Sequence, residues 1–103
     1  MNHFILFYEF VPDVMERRGP YRNEHLTRAW EAQARGELVL AGAFMDPTDG
    51  SAALFRTESI ETVERFAQND PYVKAGLVTR WHVRRWMTVV GDAATHPVKP
   101  SGQ

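Results

Sequence analysis

There is no cysteine in this chain of 103 residues. That absence removes disulfides, thiol nucleophiles and cysteine-ligated metals together, and it is compatible with a reducing compartment. No apolar run approaches the roughly 20 residues of a membrane-spanning helix. The first residues, MNHFILFYEF, carry no basic n-region, and their apolar run is too short and alternating for a signal peptide. An excess of positive charge is missing too: Lys and Arg total 12 against 13 Asp and Glu, for a net charge of −1. Nucleic acid and anionic membranes both select basic surfaces, so neither is expected as a partner. The seven glycines are scattered and build no phosphate-cradling loop. His3, His25, His82 and His96 lack metal-ligand spacing, so no metal or other cofactor is expected. Ser51 and Ser59 lack the strand–turn–helix setting of a nucleophile elbow. What remains is a single cytoplasmic domain with an ordinary apolar fraction of 44%.

The elements follow from periodicity. His3–Phe10 is rich in aromatic and branched residues and reads as a strand with two largely apolar faces, His3/Ile5/Phe7/Glu9 and Phe4/Leu6/Tyr8/Phe10. Val11–Gly19 reads as a loop. Pro20 suits the first turn of a helix that runs to Gly36, with Leu26, Ala29, Trp30 and Gln33 as its apolar stripe and Ala32 beside it. Glu37–Met45 is a second strand in which Gly42 marks a bulge or a close approach by another group, which makes it a candidate binding position. Asp46–Gly50 is a turn, and Ser51–Arg56 returns as a third strand. Ser59 can cap a helix over Ile60–Gln68. A single turn, Pro71–Ala75, is closed by Gly76 and leads into a long fourth strand, Leu77–Val90. Residues 91–103 have no apolar periodicity and read as a flexible tail beyond a domain of residues 1–90.

This order is βαββαβ, the ferredoxin-like α+β arrangement: a four-stranded antiparallel sheet with both helices on one face. Tyr8, Phe10, Trp81 and Trp86 imply apolar surface on both sides of the sheet. A bare apolar face of that size calls for a cover, and a face-to-face homodimer is the simplest. The same topology gathers Arg22, His25, Asp46, Asp49, Asp70 and Tyr72 on one rim, where loops over a rigid sheet commonly carry function.

Within that rim His25 is the candidate acid–base group, since imidazole changes charge near neutral pH. A border histidine that merely shields the core is the plainer reading of the residue alone. Asp70 before Pro71 has the form of a helix N-cap, and its carboxylate could also orient His25; one role does not exclude the other. Arg22, one turn before His25, could hold a carboxylate or phenolate, or could pair with Glu24, Asp13 or Glu16.

Four segments together resemble a known family: Arg22-x-x-His25-Leu26, Gly36-x-Leu38 with Ala41-Gly42, Asp70-Pro71-Tyr72-x-x-Ala75-Gly76, and Val83-Arg84-x-Trp86. They look like the YciI-like (YCII-related) proteins, over about residues 3–90. The resemblance implies a dimeric α/β barrel of ferredoxin-like topology with a His–Asp pair in a cleft, here His25 and Asp70. One relative dechlorinates a chlorinated hydroxyhydroquinone. The Val11–Gly19 loop and the polar tail depart from the shortest members, so no particular substrate carries over. The expected function is cofactor-independent acid–base chemistry, an elimination or isomerisation, on a small polar or aromatic molecule. A non-catalytic binding module and a cofactor-free monooxygenase of the same barrel type are the alternatives.

Overall fold

The computed structural model describes residues 1–101. Its elements are β1 (Asn2–Phe10), α1 (Val14–Arg17), α2 (Gly19–Ala34), β2 (Leu38–Ala43), β3 (Gly50–Thr57), α3 (Ile60–Gln68), α4 (Pro71–Lys74) and β4 (Val78–Trp86). The strands form one antiparallel sheet in the order β2-β3-β1-β4. This is the ferredoxin-like βαββαβ fold, with α1 and α4 as added single turns.

Cross-strand partners share a face of a sheet, so the register sorts the side chains. Phe4, Leu6 and Tyr8 pair with Phe55, Ala53 and Ser51 on one side and with Arg85, Val83 and Trp81 on the other. This set meets Val63, Phe66 and Ala67 of α3 and Ala32 of α2 to form the core, so both long helices lie on this face. Tyr8, Phe10 and Trp81 therefore sit together on the helix side, and of the four aromatic residues expected to split between the faces only Trp86 is opposite. The open face is instead supplied by the alternate residues: Ile5, Phe7 and Leu54 are partly exposed, Leu40 and Trp86 largely so, and Phe7 stacks on His82 at 5.0 Å.

Helix α2 departs from its expected stripe. His25, Arg28, Ala29 and Ala32 face inward, whereas Leu26 is 39% and Trp30 68% exposed. The reason lies beneath them. The part of β2 and β3 under that side of the helix carries Ala41, Ala43, Ser51 and Ala53, whose side chains are too short to reach it. Gly36 (φ +82°) ends the helix in the left-handed region, as Gly76 (φ +78°) ends α4.

Three local details differ from expectation. The Val11–Gly19 stretch is not wholly loop: α1 forms there because Val14 is pulled into the core, while Arg17 pairs with Asp13 at 3.6 Å. Strand β4 stops at Trp86 rather than Val90, because Thr88 turns inward. Its Oγ1 lies 2.7 Å from buried His3 Nδ1 and accepts the Thr95 N–H, so that residues 95–98 fold back on 88–89. Positions 102 and 103 of the expected tail lie outside the described residues. Finally, the β2 irregularity falls at Val39, not Gly42, which pairs regularly with Ala52 and has open space where a side chain would be.

The close approach is at Gly50, where a Cβ would collide with the Tyr8 carbonyl oxygen. Gly50→Ala should therefore destabilise the fold by about 1–3 kcal/mol, the usual range for overpacking against an unyielding neighbour. Gly42→Ala should be neutral or stabilising by up to about 1 kcal/mol. Urea denaturation of the two variants side by side checks the contrast.

Candidate active site

Strand β1 delivers its end to one rim, where Phe10 N–H donates to Asp49 C=O at 2.8 Å and Val11 N–H to Leu77 C=O at 2.9 Å. The β2–β3 turn, the approach to β4 and the start of α2 therefore meet at the same edge. A cleft of about 600 Å³ opens there between α2 and the sheet. Its lining includes His25, Arg22, Tyr72 and Gly42, together with Arg18 and Tyr8. Asp46 and Asp49, expected on the same rim, do not line it.

Asp70 is the most enclosed polar group, with no exposed surface. Its extended backbone caps α4, and its Oδ1 accepts the Tyr72 N–H at 2.9 Å. Its Oδ2 accepts the Tyr8 hydroxyl at 2.8 Å. His25 Nδ1 lies 2.9 Å from Oδ1 and 3.0 Å from Oδ2. Capping and contact with His25 thus coexist on one carboxylate. An Nδ1–H facing the carboxylate leaves Nε2 as the free nitrogen of a ring that lines the cleft. The ring is also clamped in plane, stacked on Tyr72 with centroids 3.9 Å apart and 8° between planes.

Burial first, then the charge and hydrogen bond of Asp70, push the Tyr8 hydroxyl far above its ordinary range, so it remains a donor. Burial also raises Tyr72, against the opposing pull of Arg18 and Arg22. Those two guanidinium groups stand at the cleft, and among the described residues neither joins an ion pair. No three His, Cys, Asp or Glu side chains converge as a metal site among the described residues.

Two members of the constellation escaped the sequence reading. Tyr8 was hidden in an alternating apolar strand, although a tyrosine on a buried face needs a partner for its hydroxyl. Arg18 was assigned to a loop, although it stands four residues before Arg22 and so one helical turn away.

The YCII-related domain family matches residues 1–87, nearly all of the folded part. The chain belongs to the YCII-related family. An uncharacterised protein of Haemophilus influenzae is 31% identical over 84 residues, covering 73% of this chain and 86% of the relative. The protein YciI of Escherichia coli is 28% identical over 95 residues, covering 84% and 97%. Among solved structures, this YCII-related chain is similar to 5-chloro-2-hydroxyhydroquinone dehydrochlorinase (TftG) from Burkholderia phenoliruptrix, in complex with 2,5-dihydroxybenzoquinone. The TM-score is 0.71 at 24% identity, over 84% of this chain and 94% of that one, which establishes a common fold.

Tyr8→Phe deletes one donor to a buried carboxylate and should lower stability by about 2 kcal/mol. The sign of its pH dependence follows from the raised Tyr8 hydroxyl. In the unfolded chain Tyr8 ionises near its ordinary value of 10.0, whereas in the fold it keeps its proton. The stabilisation is therefore complete below pH 10 and is lost as pH rises above it. The gap between wild type and Tyr8→Phe should be constant up to about pH 10 and narrow beyond it, measured by urea denaturation across pH.

Proposed function

We propose that this protein is a cofactor-independent acid–base enzyme that uses His25 and Asp70 on a small anionic aromatic or polar molecule. The observation that carries the reading is the fully buried Asp70 carboxylate, held by Tyr8 and Tyr72 and directed at one nitrogen of His25. Such an arrangement fixes the imidazole's tautomer and plane and leaves Nε2 to accept a proton. In an elimination, Nε2 removes a proton from the substrate, the freed electron pair forms the new double bond, and the leaving group departs with its own pair. The Asp70 carboxylate stabilises the imidazolium until the imidazolium returns its proton to solvent. Arg22 and its neighbour Arg18 hold the anionic group of the substrate; Tyr72 supports the ring of His25, and Gly42 borders the cleft with its backbone. The dehydrochlorinase activity named for the structural neighbour supports an enzymatic role and a reaction of this kind.

The reading includes a homodimer formed through the open sheet face. Ile5, Phe7, Leu40, Leu54 and Trp86 form an apolar surface that a second copy would cover. The cysteine-free composition suits a cytoplasmic enzyme.

The test is a panel of hydroxylated and halogenated aromatic acids and phenols, assayed for halide or proton release. A turned-over compound should lose about 10²–10⁴-fold in rate with His25→Ala, the usual share of a general base. Asp70→Asn should also be slow, with KM changed far less than kcat. Ligands that bind the cleft but are never turned over, with affinity indifferent to His25, would replace the enzyme by a binding module. For the assembly, light scattering at micromolar concentration should return the mass of two chains; the mass of one chain would remove the dimer.

A further inference from the structure

We propose that the small residues of the β2–β3 floor, Ala41, Ala43, Ser51 and Ala53, select a substrate with an apolar body of about two fused rings carrying an anionic group. This inference rests on the acid–base reading of the cleft and names its substrate class. The pairs Ala41–Ala53 and Ala43–Ser51 lie on the helix side of the sheet, with Gly42–Ala52 between them. From Leu38 onward β2 sends no large side chain toward α2 on this face, so a gap is left beneath the helix, and its Leu26 and Trp30 overhang that gap rather than fill it.

The volume leaves room for more than a single ring. The cleft holds about 600 Å³. A benzene-sized molecule is accommodated by an apolar cavity of about 150 Å³, so this cleft has room for a body larger than a single ring. Polarity decides the ligand's orientation. Arg18, Arg22 and His25 come from the first half of α2 or the residue before it, whereas Ala29 and Trp30 lie further along the helix. Leu6, Leu38 and Phe66 add apolar walls. An anionic head at the guanidinium groups therefore leaves an apolar body to run along α2, over the small-residue floor. A flat body fits because the floor is two paired strands without projecting side chains.

The experiment compares 6-hydroxy-2-naphthoate with 4-hydroxybenzoate by calorimetric titration of the full chain. The two probes share the anionic head and the phenol and differ by one fused ring. Wild type should bind the naphthoate about tenfold or more tightly, given the extra apolar area removed from water. Ala53→Leu and Ala41→Leu place branched side chains on the floor and should erase that preference while leaving benzoate binding in place. Arg22→Ala should weaken both probes by the same factor. Equal wild-type affinities overturn the proposal. So does a preference that survives both leucine variants when their circular dichroism is native, or no binding of either probe at millimolar concentration. Equal affinities alongside His25-dependent turnover would sink the size selection and keep the acid–base reading. A naphthoate preference that persists in His25→Ala, with no turnover of any compound, would do the reverse.

Discussion

A carboxylate taken wholly out of water is tolerable only where donors replace its hydration. Asp70 meets that condition with groups from three separate elements: the hydroxyl of Tyr8 on β1, the ring of His25 on α2 and the backbone N–H of Tyr72 on α4. The same charge is thus both a fastening between sheet and helices and the feature that orients the imidazole. Removing any one donor leaves a buried anion short of a partner, which is why the site and the stability of this corner of the fold are coupled. Tyr72 contributes twice, by its N–H to the carboxylate and by its ring under His25.

The cleft beside this corner is an outcome of side-chain size. Over β1 and β4 the helix face of the sheet carries Phe4, Leu6, Tyr8, Val78, Trp81 and Val83, and α3 packs down on them. Over β2 and β3 it carries alanine and serine, and α2 has nothing large to meet beyond Leu38 and Phe55. One half of the layer is therefore closed and the other half open. That asymmetry leaves an open cleft in a ferredoxin-like domain without any inserted loop. The Gly50 contact with Tyr8 sits at the junction of the two halves, holding the β2–β3 turn against the strand that presents Tyr8 to Asp70.

Much of this architecture is legible along the chain. Alternation in β1, the hairpin around Asp46–Gly50, the glycine stops at Gly36 and Gly76, and the Asp70-Pro71 cap each report on backbone geometry within a few residues. Their order gives the topology, and the topology brings His25 and Asp70 to one rim. Less legible was which apolar side chains would be covered. Leu26 and Trp30 have the periodicity of a buried stripe yet lie exposed, since periodicity says that a helix has an apolar side and not that a partner fills it. Tyr8 and Arg18 were missed for a related reason: their partners are far away in sequence or depend on where a helix starts.

By itself, then, the order of residues determined the element sequence and the ferredoxin-like topology, because each follows from local backbone preferences and chain connectivity. These put His25 and Asp70 on one rim, and the family resemblance implied that they pair. Only the tertiary structure decided that the Asp70 carboxylate is saturated by Tyr8 and Tyr72. It also decided that His25 is stacked and that the expected stripe of α2 stands over an open cleft. Those are properties of register and of facing side-chain volumes, and both arise between segments brought together only by folding.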